Sequence, residues 1–153
     1  MSNGIKVKKR DGRIESLDLE KMHVMVQEAC EGLAGVSASQ VEMQSGIQFY
    51  DGITTDEIQE ILIKSASDLI DLETPNYQFV AARLLLFALR KSLYGKMREL
   101  PHLEAHIMDC TAKEVYDKEI FVKYSKEEIA RANSYIDHTR DFLFTYAGLR
   151  QVA

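Results

Sequence analysis

The sequence predicts a mainly α-helical protein, in which a helical bundle is capped by a small N-terminal β-hairpin and followed by an additional helical segment. Helices are indicated by apolar residues that recur three and four positions apart along most of the chain. The 153 residues include only two prolines and eight glycines, so few positions interrupt those helices. The hairpin is indicated by Asp11-Gly12, which stands between two short segments of alternating polarity.

The predicted hairpin concentrates positive charge. Its basic residues are Lys6, Lys8, Lys9, Arg10 and Arg13, against the single acid Asp11. The first thirteen residues therefore carry a charge of +4 in a chain of net charge −5, which leaves −9 for the remainder. Asp18 is a good N-cap, so the hairpin leads directly into a helix N-terminus. Such a corner predicts anion binding. The structural alternative is a solvated hairpin whose edge lysines discourage unwanted strand pairing.

Two helices are predicted between this hairpin and the middle of the chain. The first follows the apolar positions Leu19, Met22, His23, Val26, Cys30 and Leu33, and ends near Gly32-Gly35. His23 on that apolar face is better explained as a packed, satisfied histidine than as a ligand. Ser39-x-x-Glu42 is a capping box that predicts the start of the second helix, and Asp51-Gly52 predicts its end.

The third and fourth helices have the clearest signals. Thr54-x-x-Glu57 is a capping box before a regular apolar stripe, with Thr55 and Gln59 four residues apart at the edge of that stripe. That position suits hydrogen bonding to a polar ligand, although capping and surface solubility explain both residues equally well. Thr74-Pro75 predicts the start of a fourth helix that ends at Gly95 and is apolar almost all round, as expected of the central helix of a bundle. Arg90 and Lys91 near its end either complement the helix dipole or are available to a phosphate. Later in the chain, Ser125-x-x-Glu128 is a further capping box, which predicts a helix through Ile129, Ala132 and Ile136.

Several classes of function find no support in the sequence. Neither a P-loop nor a G-x-G-x-x-G motif is present, and no Ser-His-Asp or Cys-His constellation offers catalytic residues. His102 and His106 have helical metal-pair spacing without a third ligand, so no metal site is predicted. The acidic balance argues against nucleic-acid binding, and the longest apolar run is too short to span a bilayer. The absence of an apolar N-terminal segment and the two widely spaced cysteines predict a cytoplasmic protein.

Four ordered motifs resemble a known family. Val7-Lys-Lys-Arg-Asp-Gly, Leu19-Glu-Lys21, Ile53-Thr-Thr-Asp-Glu-Ile58 and Tyr77-Gln-Phe-Val-Ala-Ala-Arg-Leu84 closely resemble the ATP-cone, the allosteric activity domain of the class I ribonucleotide reductase large subunit. The later motifs Tyr124-Ser-Lys-Glu-Glu128 and Ile136-Asp-His-Thr-Arg-Asp141 resemble the helical segment that follows the cone in class Ia-type subunits. The resemblance implies a four-helix bundle capped by the hairpin at residues 1–95, and the truncated start of that segment at 96–153.

The resemblance also implies a ligand and its site. ATP is the expected activator and dATP the expected inhibitor, accompanied by Mg²⁺ held mostly by phosphate oxygens and water. Lys9 and Lys91 fall where the family contacts the triphosphate, with Arg10 nearby, and Thr55 falls at a family contact on the third helix. The segment Glu15, Ser16, Leu17, Asp18, Leu19, Glu20, Lys21 lines the nucleoside, with Glu15 and Asp18 near the adenine edge and Lys21 near the ribose or phosphates. The apolar bed under the base is expected from Val7, Leu17, Met22, Ile58 and Phe87.

Some positions depart from the family pattern, and some partners lie outside the chain. Gln59 stands where several members have histidine, and Glu57 and Asp18 replace the expected Asp and Asn, which bears on the strength of dATP inhibition. The resemblance implies partners in the remainder of the large subunit and in the radical-bearing small subunit, with control through oligomeric state. The catalytic cysteines of the enzyme are missing here, which implies a fragment or a split-gene product. The alternatives are a degenerate cone that serves only as an assembly surface, or the cone of a transcriptional repressor, which would need a zinc ribbon before Val7.

Overall fold

The computed structural model describes residues 4–153 and divides them into two compact units. The first unit contains residues 4–89 and Asp141–Ala153, and the second contains Arg90–Arg140. The mainly helical fold class with a small N-terminal sheet is confirmed. The predicted division at residue 95 stays a prediction about domains.

A three-stranded sheet lies at the N-terminal end of the first unit. It consists of β1 (Lys6–Lys8), β2 (Ile14–Ser16) and β3 (Ile53–Thr54), in the order β2-β1-β3. The hairpin prediction is confirmed, since β1 and β2 are antiparallel and Gly12 turns the chain with φ of +87°. Strand β3, which pairs in parallel with β1 through Val7 and Ile53, was not predicted from the sequence.

Five helices complete the first unit or begin in it. They are α1 (Leu19–Cys30), α2 (Ala38–Gly46), α3 (Thr55–Asp68), α4 (Tyr77–Tyr94), whose residues 90–94 belong to the second unit, and α8 (Tyr146–Val152). The hydrophobic core of this unit is formed mainly by residues from β3 and from the four helices α1 to α4, together with Val7 of β1 and Leu149 of α8. Its side chains with no exposed surface are Val26, Ala29, Val41, Ile53, Leu62, Ile63, Ala66, Val80 and Ala81.

The predicted bounds of α2 were wrong at both ends. Ser37, rather than Ser39, occupies the N-cap position, and the helix ends at Gly46 instead of continuing to Asp51-Gly52. At the start, the Tyr77 hydroxyl accepts a hydrogen bond from the Ser37 backbone N–H at 3.0 Å, which fixes where the chain enters the helix. At the end, the backbone must become extended in time for Ile53 to pair with β1.

The predicted start of α4 was also displaced. The helix begins at Tyr77, and the N–H of Val80 donates to the carbonyl of Asn76 at 3.3 Å. The Thr74 hydroxyl does not cap α4, because it donates to the Leu69 carbonyl at 2.9 Å. The end of α4 was predicted correctly, since Gly95 follows it with φ of +71°.

The second unit contains three short helices, α5 (Leu103–Ala112), α6 (Ile120–Lys123) and α7 (Lys126–Ser134). The capping box of Ser125 and Glu128 is confirmed at the start of α7. The predicted continuation of α7 to Ile136 was wrong by two residues. A 3₁₀ helix, His138–Leu143, leads the chain back into the first unit.

The apolar C-terminal tail is partly packed within the first unit. The rings of Phe142 and Phe87 meet edge to face, with centroids 6.3 Å apart, and Leu149 is buried. The Arg83 guanidinium lies 5.3 Å from the centre of the Phe142 ring. Within the described part of the chain, no helix is long and apolar enough to cross a membrane.

Candidate functional site

One face of the small sheet gathers several of the predicted site residues. Val7 is opposite Glu15 on one side and Ile53 on the other, so these three side chains project from the same face. Lys9 lies two residues beyond Val7, and its N–H donates to the Arg13 carbonyl at 2.8 Å, which continues the ladder and keeps Lys9 on that face. Val7 and Ile53 are buried. This face of the sheet is therefore apolar at Val7 and Ile53, where it packs on the core, and charged towards the hairpin tip at Lys9 and Glu15.

The opposite face of the sheet carries Lys6, Lys8 and Ser16. Lys6 is opposite Ser16 in the β1–β2 ladder, and its ammonium group donates to the Ser16 hydroxyl at 3.2 Å. Lys8 is exposed. Alternation along β1 and its continuation thus places Lys8 and its neighbour Lys9 on opposite faces. Alternation along β2 likewise separates the side chains of Glu15 and Ser16, although Glu15 and Ser16 were both predicted to line the nucleoside.

The two cations of the hairpin that were predicted at or near the triphosphate, Lys9 and Arg10, are each paired with a carboxylate. The Lys9 Nζ lies 3.5 Å from Glu15 Oε2, as a cross-strand pair on one face. Arg10 reaches the first turn of α3, where its Nε and Nη2 lie 2.8 and 2.6 Å from Asp56 Oδ1. The hairpin tip is therefore joined to the N-terminus of α3 by an ion pair.

The N-terminus of α3 is held in place by the predicted capping box. The Thr54 hydroxyl accepts from the Glu57 N–H at 3.2 Å, and Glu57 Oε2 accepts from the Thr54 N–H at 2.8 Å. The adjacent Thr55 hydroxyl lies 3.5 Å from the Lys8 carbonyl oxygen, so the start of α3 touches the end of β1. Ile58 and Gln59, one turn further along, are both buried. This arrangement brings Thr55 to the same corner as Lys9 and Arg10.

Glu57 makes this cap sensitive to acid. Hydrogen bonds from the Thr54 backbone and side chain, and then from the Tyr50 hydroxyl at 2.8 Å, lower the pKa of Glu57 below its ordinary value of 4.5. The stability that this carboxylate contributes is fully present above pH 4.5 and is lost as the pH falls through the lower pKa of the folded state.

We expect Glu57→Gln to make the free energy of unfolding depend less on pH below 4.5, because the titrating carboxylate is removed. Urea unfolding at a series of pH values measures this dependence. A Glu60→Gln variant is the control, and equal flattening in both would contradict the role of the cap.

The start of α1 is also built as predicted. The Leu17 N–H donates to the Ile5 carbonyl at 2.8 Å, which extends the hairpin, and Asp18 then caps the helix by accepting from the Lys21 N–H at 2.9 Å. This hydrogen bond uses Asp18 Oδ1 and leaves the other carboxylate oxygen for a ligand. Lys21 is exposed on the first turn of the helix.

A cavity of about 610 Å³ lies between the start of α1 and α2. Four predicted site residues line it, together with residues that the sequence analysis did not include. The lining comprises Ile5, Leu17, Leu19, Glu20, Met22, His23, Ser39, Glu42, Met43, Gly46 and Phe49. His23 Nδ1 lies 2.7 Å from Glu42 Oε1 at its wall, so the histidine has a partner within the protein, as predicted. The prediction that it is packed was wrong, since its side chain is 43% exposed.

The last two predicted site residues are on α4. Phe87 is buried in the first unit, where it packs against Phe142. Lys91 follows one helical turn later and belongs to the second unit. Its phosphate contact stays a prediction. Among the described residues, no cluster of three or more His, Cys, Asp or Glu side chains could hold a metal ion.

Asp56 is the polar group of this corner that the sequence analysis did not include. Its ion pair with Arg10 joins residues 46 positions apart in the chain. No local pattern indicates such a partner. The sequence does indicate that Thr54 caps α3, and this places Asp56 in the exposed first turn of that helix. It does not indicate which residue pairs with Asp56.

Comparison with known proteins agrees with the family resemblance noted in the sequence. The family model described as the ATP cone domain matches residues 5–92. Over 152 residues, the chain is 47% identical to the ribonucleoside-diphosphate reductase subunit alpha of Buchnera aphidicola from Acyrthosiphon pisum and 45% identical to subunit alpha of the Escherichia coli K12 reductase 1. It is 43% identical over 150 residues to subunit alpha of the Enterobacteria phage T4 reductase. These matches cover 97–99% of the chain, which spans only about one fifth of the length of these relatives.

Proposed function

Since this chain belongs to the ATP-cone family, we propose that it is an allosteric domain that binds ATP as an activator or dATP as an inhibitor. The proposal rests on the corner where the hairpin tip, with Lys9 and Arg10, lies against the N-terminus of α3, which begins at Thr55. Cationic side chains beside helix amides are suited to a polyanion, and lysine and arginine donate charge-assisted hydrogen bonds to phosphate without a P-loop.

The nucleoside would lie on the core side of the sheet. Val7 already faces that side, and the proposed apolar bed continues through Leu17, Met22, Ile58 and Phe87. Glu15 projects from the same face as Val7, where its carboxylate can accept a hydrogen bond from the adenine amino group. Asp18 can also accept through its second carboxylate oxygen. Lys91 on α4 is proposed as a phosphate contact because the family has a triphosphate contact at this position.

Mg²⁺ would accompany the triphosphate. The corner offers carboxylate oxygens from Glu15 and Asp56 beside the two cations, and oxygen is the ligand type that Mg²⁺ prefers. These two carboxylates fit an ion held mainly by phosphate oxygens and water. Bound in this way, the ion would neutralise part of the phosphate charge.

The wider role follows from the relatives. We propose that the chain regulates a ribonucleoside-diphosphate reductase, of whose large subunit it forms part, together with a radical-bearing small subunit. Control through oligomeric state requires that ATP and dATP bind with different affinities in different assemblies, because a ligand bound equally well in each would shift nothing. We also propose a cytoplasmic location, where the free thiols of Cys30 and Cys110 would stay reduced.

Calorimetric titration of the 153-residue chain with ATP, and separately with dATP, in the presence of Mg²⁺ tests the proposal. We expect saturable binding of both nucleotides at one site per chain. A chain that binds neither nucleotide would instead be a degenerate cone. One observation favours that second function, namely that Lys9 and Arg10 are each already paired with a carboxylate.

A further inference from the structure

Glu15 on β2 and Asp56 on α3 offset the charges of the two cations at this corner before a ligand arrives. Lys9 lies against Glu15 and Arg10 against Asp56, so the two positive charges face two negative ones. Nε and Nη2 of the Arg10 guanidinium are both directed at one oxygen of Asp56. A phosphate group that binds these two nitrogens must displace Asp56, and binding in this way is an exchange of anions.

Asp56 cannot move far after this exchange. It lies in the first turn of α3, next to Thr55, and the Thr54–Glu57 capping box fixes the backbone of that turn. The displaced carboxylate consequently remains beside the phosphate groups. Its side chain is 61% exposed, so water and salt weaken the repulsion without removing it.

The repulsion depends strongly on the form of the nucleotide. A free nucleoside triphosphate carries about four negative charges at neutral pH, whereas its Mg²⁺ complex carries about two, so a fixed carboxylate opposes the free form more. The carboxylate also favours a nearby Mg²⁺, either directly or through a coordinated water molecule. Both effects act in the same direction.

We propose that Asp56 makes this site select the magnesium complex of a nucleoside triphosphate over the free nucleotide. The inference rests on the proposed function. It assigns Asp56 a role in specificity, in addition to its ion pair with Arg10.

The test compares Asp56→Asn with Asp11→Asn. Asp11 is on the same hairpin and pairs with Arg13 at 2.7 Å, so both substitutions remove one exposed carboxylate from one basic residue and change the net charge equally. The dissociation constant for ATP is measured by calorimetry for the wild type and both variants, with excess Mg²⁺ and then with EDTA at the same ionic strength. The quantity compared is the ratio of the constant for free ATP to that for magnesium ATP.

We expect this ratio to fall by about fivefold in Asp56→Asn and to stay within about twofold of wild type in Asp11→Asn, as befits an exposed charge acting at short range. Release of the Arg10 cation would also favour the free nucleotide, because a freed positive charge attracts four negative charges more than two. Asp11→Asn, which frees Arg13 from Asp11, shows how much of the fall in the ratio comes from a freed cation alone. An unchanged ratio in Asp56→Asn, or an equal fall in both variants, would overturn the inference while leaving nucleotide binding intact. Failure of the wild type to bind ATP in either form would overturn the proposed function and this inference with it.

Discussion

Lys9→Ala is expected to weaken the binding of magnesium ATP by about tenfold or more. A hydrogen bond to a charged group contributes about 1.5–3 kcal/mol, and each 1.4 kcal/mol corresponds to about a tenfold change in affinity. Lys9 also loses little when it exchanges partners, since its Nζ is 3.5 Å from Glu15 and the pair is partly exposed. The measurement is the dissociation constant from calorimetric titration of the 153-residue chain with ATP.

Lys8→Ala is the matched control for this prediction. The two lysines are adjacent and equally charged, but β1 turns their side chains to opposite faces of the sheet. We expect the affinity of Lys8→Ala to stay within about twofold of wild type, because only the long-range field of the hairpin changes. Equal losses in both variants would mean that the hairpin acts through its net charge. No loss in Lys9→Ala would remove Lys9 from the site.

Elements determined by neighbouring residues could be predicted from the sequence. The capping boxes at Thr54 and Ser125 were located correctly, because each depends on two side chains three residues apart. The hairpin at Gly12 was located for the same reason. A turn or cap of this kind contains nearly all of the interactions that define it.

Elements determined by distant residues could not be predicted in the same way. The start of α2 depends on a hydrogen bond to Tyr77, 40 positions away, and its end depends on the pairing of Ile53 with Val7. Strand β3 has only two residues, too few for an alternating pattern to indicate it. The bounds predicted from local signals were therefore wrong where tertiary contacts overrode them.

The candidate site follows the same division. Once the hairpin turn is known, its register places Val7 and Glu15 on one face without further information. The ion pair between Arg10 and Asp56 required the parallel pairing of β1 with β3, which brings α3 to the hairpin tip. The family resemblance placed Arg10 near the triphosphate, but it did not indicate that Asp56 pairs with Arg10.

Leu62→Ala is expected to lower the free energy of unfolding by about 3 kcal/mol, within a range of about 2–5 kcal/mol for such substitutions. Leu62 is on α3 and has no exposed surface, so its removal forfeits the buried area and leaves a cavity that the packed helices can only partly fill. Total stabilities of about 5–15 kcal/mol are usual, which makes this a large fraction. Urea unfolding followed by far-ultraviolet circular dichroism measures the change.

Leu72→Ala provides the comparison, since it removes the same atoms from a fully exposed side chain in the segment after α3. Its expected effect is within about 0.5 kcal/mol, as for most surface substitutions. Saturating ATP should raise the unfolding midpoint of both variants, because a ligand that binds only the folded chain stabilises it by mass action. If Leu62→Ala and Leu72→Ala were equally stable, α3 would not be packed in the core. In that case the N-terminus of α3 would lose the rigid support on which Thr55 and Asp56 depend for their positions at the proposed nucleotide site.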